Sequence, residues 1–162
     1  MGEIDAPVLR VVSRLAEYDA DQWNACAHPA DTPYNPFLSH AFLMALEESG
    51  SASADTGWLP QHLVVETPAG DSLGAMPLYL KSHSQGEYIF DYGWADAFHR
   101  AGGRYYPKLL SAVPFTPATG PRLLIRDPAR ADDKTRALEG RARTLWERPA
   151  EASLHEKPLP NT

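Results

Sequence analysis

Residues 87–124 read EYIFDYGWADAFHRAGGRYYPKLLSAVPFTPATGPRLL, and this stretch decides the fold. Tyr88, Phe90, Tyr92, Trp94, Phe98, Tyr105, Tyr106 and Phe115 crowd it, among glycines, prolines and a few charges. Aromatic bodies with polar tips suit the wall of a cleft, where one end packs and the other reaches a ligand. A well-packed core uses the same residues. Glu87 to Phe90 predicts a strand. Trp94 to Ala101 predicts a short helix ended by Gly102-Gly103, and Lys108 to Val113 and Arg122 to Arg126 predict two further strands.

Upstream, the β-branched run from Val8 to Ser13 predicts a first strand. Asp19 or Asp21 can cap a helix through Trp23 to Ala27, which His28-Pro29 stops. Ser39 occupies an N-cap position, with Leu38 and Leu43 spaced as a hydrophobic staple. Phe42, Leu43, Ala45 and Leu46 supply the apolar stripe of that helix, and Gly50 ends it. Leu59 to Thr67 and Ser72 to Ser82 predict two strands joined by the turn Pro68-Ala69-Gly70-Asp71. Pro77 inside the second run predicts a bulge or an edge there. Strands interleaved irregularly with helices make an α+β (α/β mixed) domain over residues 1–126.

Residues 127–162 differ in kind. Arg and acidic residues dominate them, and Pro149, Pro158 and Pro160 punctuate their end. Lys134 to Trp146 has helical spacing but few apolar residues, and Glu147 to Thr162 has the composition of a disordered tail.

The 162 residues allow one ordinary domain with a real core. A net charge of -6 argues against a general nucleic-acid or anionic-membrane surface. The single cysteine, Cys26, excludes an internal disulfide framework and suits a core position. No apolar run reaches the ~18 residues of a membrane span, and no basic-then-apolar leader opens the chain. A cytoplasmic protein is the expectation. His62, His83 and His99 lack metal-ligand spacing, so no metal site is expected.

Several separate words have the order found in a known family. They are Asn35-Pro36-Phe37-Leu38-Ser39, Gly74-Ala75-Met76-Pro77-Leu78-Tyr79-Leu80-Lys81, Phe90-Asp91-Tyr92-Gly93-Trp94-Ala95-Asp96-Ala97, Tyr105-Tyr106-Pro107-Lys108-Leu109 and Val113-Pro114-Phe115-Thr116-Pro117-Ala118-Thr119-Gly120-Pro121-Arg122-Leu123. Over about residues 8 to 125 the chain resembles the FemAB-like N-acyltransferases of peptidoglycan biosynthesis or recognition, distant relatives of the GNAT acetyltransferases. The resemblance implies a GNAT-like mixed β-sheet flanked by helices, present as an incomplete N-terminal part. It implies acyl or aminoacyl transfer to an amine, on a cell-wall precursor. Acyl-CoA or aminoacyl-tRNA would be the donor substrate, with tRNA a partner only in that role and no permanently bound cofactor. Family members are longer, and the quoted words stop near Arg126. A premature stop or shifted reading frame near Arg126 to Arg136 would explain that, as would a natural short variant.

Acyl transfer requires a held donor, an amine that loses a proton, and hydrogen-bond donors for the developing oxyanion. GNAT donor sites cradle a pyrophosphate on a glycine-rich run at a helix start. Here Arg136-Ala137-Leu138-Glu139-Gly140-Arg141-Ala142 is out of register by one, and Ala101-Gly102-Gly103-Arg104 lacks the frame. Weak or absent acyl-CoA binding follows. Asp91, at a strand end, is the candidate catalytic carboxylate, positioned to accept a proton from an amine or to orient it; a cap for the helix after it fits equally. Asp96 and His99 share a helix face as an acid–base pair or a solvated one. Tyr105, Tyr106, Lys108 and Arg122 can offer hydroxyl and cationic donors to a substrate. Trp94 and Thr116, the latter in a Pro-stiffened loop, complete the substrate-binding candidates. Asp91, Trp94, Tyr105, Tyr106, Lys108 and Arg122 are expected to place at least three members on one concave site. A non-catalytic binding or scaffold domain, or an inactive fragment of a transferase, remains the alternative.

Overall fold

A computed structural model describes residues 7–30, 32–88 and 91–126. It has the α+β class, with three α-helices and seven strands in two sheets among the described residues. The larger sheet has the order β1 (Val8–Val12), β3 (His62–Glu66), β4 (Ser72–Met76), β7 (Leu124–Ile125). The smaller has the order β2 (Trp58–Pro60), β5 (Tyr79–Lys81), β6 (Lys108–Leu110). Every described pairing is antiparallel. The disorder expected for Glu147 to Thr162 and the helix expected over Lys134 to Trp146 fall on residues outside the described set.

Helices α1 (Ala20–Ala27) and α2 (His40–Glu48) form where their caps predict. The Asp19 side chain accepts from the Gln22 N–H, and the Ser39 hydroxyl from the Phe42 N–H. Each satisfies a backbone donor that the first turn would otherwise leave open. Leu38 and Leu43, the staple pair, are both fully buried. Gly50, at φ +75°, adopts the left-handed backbone that ends α2.

The two long strands expected at Leu59 to Thr67 and Ser72 to Ser82 are four short ones. The hairpin they form bends in the middle and splits between the two sheets. The cause lies at Pro77. Proline offers no N–H to a ladder, and the backbone leaves the sheet at Pro77-Leu78. The Gln61 N–H still reaches the Leu78 carbonyl at 2.8 Å. The Leu78 N–H finds the His62 Nδ1 at 3.2 Å in place of a backbone acceptor. The expected strand at Glu87 to Phe90 is not seen where the chain is described. Glu87 and Tyr88 lie in bends, with Tyr88 at φ +55°, and residues 89–90 are outside the described set. The strands expected over Lys108 to Val113 and Arg122 to Arg126 shrink to β6 and β7.

Strand β3 is buried along its whole length because both sheet faces are covered. Val64 packs with Trp23, Leu38 and Leu43 under α1 and α2. Leu63 and Val65 point the other way, toward Leu78, Leu109 and Leu123. The Trp23 indole N–H donates to the Leu38 carbonyl at 2.9 Å, tying the helical layer together. Cys26 is buried in this core, as expected of a lone small apolar residue.

Candidate functional site

The largest group of buried charged side chains described gathers on and beside the small sheet. Trp58 of β2 is directly opposite Lys81 of β5, and Lys81 is directly opposite Lys108 of β6. Cross-strand partners share a face, so these three residues form a row across three strands. The Lys81 ammonium sits 3.9 Å from the Trp58 ring centroid, a cation–π contact, and donates to the Gln85 carbonyl at 2.8 Å. Lys81 is fully buried. Desolvation pushes its pKa down to about 8, against the pull of Glu87 and Asp91 and with a push from Lys108.

Lys108 is held differently. Its ammonium donates to Asp91 Oδ2 at 2.5 Å and to Glu87 Oε2 at 3.1 Å. Burial alone would lower its pKa, but the two carboxylates outweigh that and raise it to about 12. The Tyr106 hydroxyl donates to Asp91 at 3.0 Å. Tyr105 and Tyr106 present their rings to the same ammonium, with centroids at 5.2 and 5.4 Å. Burial would raise the Asp91 pKa, and the bonds from Lys108 and Tyr106 hold it below the usual carboxylate value.

Asp91 also occupies the N-cap position of α3 (Tyr92–Arg100), yet its side chain makes no cap bond. The lysine and tyrosine take the carboxylate that the helix start would have used. The same helix is exposed along its length, with Trp94 at 75% and Phe98 at 48% exposure. Phe98 packs edge-on against Tyr105 at 6.1 Å, and Tyr105 against Tyr106 at 5.0 Å. This row of rings runs from the surface to the ion cluster.

Four of the candidates read from the sequence thus meet: Asp91, Tyr105, Tyr106 and Lys108. Trp94 stands on the exposed helix beside them. Thr116 bonds locally, to the Pro114 carbonyl at 3.0 Å. Arg122 braces its own loop through the carbonyls of Ala118 and Gly120. The stretch Ala101-Gly102-Gly103-Arg104 follows the end of α3, with Gly102 at φ +83°, so no helix starts on it. Three participants were not read from the sequence: Trp58, Lys81 and Glu87. Lys81 closes an otherwise apolar strand run, which was the available signal. Its partners depend on a register that no local pattern carries.

A second buried ionisable pair lies under α2. His62 Nδ1 accepts from Leu78, so Nε2 carries the proton and donates to Glu47 Oε1 at 2.9 Å. Glu47 Oε2 accepts the Leu15 N–H at 2.8 Å. A groove of about 280 Å³ lies beside Glu47, walled by Arg14, Met44, Leu59 and Pro60.

No curated protein and no solved structure matches the chain. A family model described as FemAB-like, peptidoglycan biosynthesis/recognition, matches residues 14–157. The match continues past Arg126, where the quoted words stop, and takes in every member of the lysine–carboxylate cluster. It covers most of the sequence, and the chain belongs to the FemAB-like family of peptidoglycan biosynthesis or recognition.

Proposed function

We propose that this chain serves N-acyl transfer, placing an acyl or aminoacyl group on an amine of a peptidoglycan precursor in the cytoplasm. One observation carries the reading. Lys108, clamped by Asp91 and Glu87 and flanked by two tyrosines, is a preorganised set of donors beside a surface aromatic row. In the reaction the amine nitrogen attacks the acyl carbonyl carbon. The new C–N bond forms, the C–S or C–O bond of the donor breaks, and the amine's proton ends on the leaving thiol or hydroxyl. Lys108, with a third N–H beyond those given to Asp91 and Glu87, suits the oxygen that becomes negative on the way. Asp91 already accepts from both Lys108 and Tyr106, so its part is to hold those donors in place. Acyl-CoA or aminoacyl-tRNA would supply the acyl group.

Recognition without transfer is the second reading. It is favoured by the full engagement of Asp91, which leaves no free base in that carboxylate, and by the position of Ala101 to Arg104 at a helix end. The test is incubation of the purified chain with a soluble muropeptide precursor and each donor in turn, read by mass spectrometry. A precursor heavier by one acyl unit, lost in Lys108→Met, is expected. Saturable precursor binding with no heavier product from either donor would replace transfer by recognition.

A further inference from the structure

Glu87 contains an unmet demand for a donor. Its side chain is only 6% exposed. Oε2 receives Lys108, while Oε1 is buried with no hydrogen-bond partner. Buried polar atoms in folded proteins are nearly always paired, so an exception calls for a cause. The local charges supply one. Two carboxylates, Glu87 and Asp91, share the single ammonium of Lys108. The other lysine, Lys81, spends its ammonium on the Gln85 carbonyl and the Trp58 ring. A further cation with N–H donors is what this spot lacks. A neutral hydroxyl would fill the hydrogen bond but not the charge. The rings of Tyr105 and Tyr106, already facing one ammonium, favour a second cation beside it.

We propose that Glu87 Oε1 is the anchor for the primary ammonium group of the acceptor substrate, fixing which amine is presented for acylation. This rests on the transfer reading above and names the specificity residue of the same site. Glu87 acts by holding the amine in its charged form until it is aligned; one proton then passes to solvent, the neutral amine attacks, and its second proton leaves on the departing thiol or hydroxyl, so Glu87 keeps none. The aromatic row from Phe98 through Tyr105 to Tyr106 gives the apolar body behind that ammonium a wall to lie along.

The test is an NMR titration of the whole chain with n-butylammonium and with its neutral analogue 1-butanol. Saturable shifts with n-butylammonium, much weaker ones with 1-butanol, and at least tenfold weaker ammonium binding in Glu87→Gln are expected. Glu87→Asp, which keeps the charge, should retain measurable binding and provides the comparison if Glu87→Gln fails to fold. Equal ammonium affinity in wild type and Glu87→Gln, equal response to 1-butanol, or no saturable ammonium binding by the wild type would each overturn the proposal. In the transfer assay, Glu87→Gln should raise the KM for the amine far more than it lowers kcat. An unchanged KM overturns the anchor while leaving transfer standing. Glu87-dependent ammonium binding without any transfer leaves the anchor standing and removes the transferase reading.

Discussion

Two buried ionic groups in this chain are built on opposite principles. Under α2, His62 and Glu47 form a closed set: both ring nitrogens and both carboxylate oxygens have partners. Lys81 and Lys108 of the small sheet, with Glu87 and Asp91 beside it, form an open set. One carboxylate oxygen is orphaned, one lysine is forced toward neutrality, and a helix that could have taken Asp91 as its cap goes without. A fully paired buried network rigidifies a fold, whereas a partly paired one carries a cost that the fold alone does not repay. The first set is complete without a ligand, and the second is the one on which the proposed function rests.

The largest effect should come from opening the closed set. His62→Leu removes the partner of a buried carboxylate and the acceptor of the Leu78 N–H, and should destabilise by about 3–5 kcal/mol in denaturant unfolding. A loss below about 1 kcal/mol would mean that the set is less closed than its geometry implies.

Lys81 offers the opposite sign. Its pKa near 8 in the folded chain lies below the ordinary 10.5. Between those values the unfolded chain binds more protons, so this group makes stability rise with pH across that window. The whole gap corresponds to roughly 3 kcal/mol. Lys108, at about 12, works the other way, but only above 10.5. Melting curves at pH 7.5 and 9.5 should show the wild type gaining stability. Lys81→Met should be more stable than wild type at pH 7.5 and flat between the two. A wild type that does not gain would show the cation–π contact offsetting desolvation in full.

Asp91→Asn should cost about 1.5–3 kcal/mol, the value of hydrogen bonds to charged groups. The folded Asp91 pKa is depressed, so its contribution is present above the ordinary 3.8 and is lost as acid protonates the folded form. Acid unfolding of the variant should therefore show less pH dependence below that value than the wild type. Equal dependence would take Asp91 out of the cluster's energetics.

The smallest effect is expected at Trp94. It is 75% exposed, so Trp94→Ala should leave stability within about 0.5 kcal/mol. A larger thermal shift would mean that the side chain packs in solution.

What was legible in the sequence followed from local chemistry. Asp19 and Ser39 announce two helix starts because a capping side chain bonds within three residues of itself. Pro68-Ala69-Gly70-Asp71 announces its turn for the same reason, with the Gly70 N–H on the Thr67 carbonyl. Four of the seven side chains gathered at the ion cluster were also legible, since Asp91, Tyr105, Tyr106 and Lys108 stand in two short words of unusual composition. Glu87 was not, because it looks ordinary beside its own neighbours, and Lys81, although it closes an apolar run, shows nothing there of its partners.

The sequence by itself determined the α+β class, the two capped helices and, through its ordered words, the family. Each of these is written in residues close together or in a fixed order along the chain. The tertiary structure alone decided that one hairpin would serve two sheets, that Lys81 would stand opposite Lys108, and that Glu87 would share that lysine with Asp91. Those facts depend on strand register, and register is set by how whole faces bury against each other. Trp58 and Lys108 are far apart in the chain, and only β5 lying between their strands makes them members of one row.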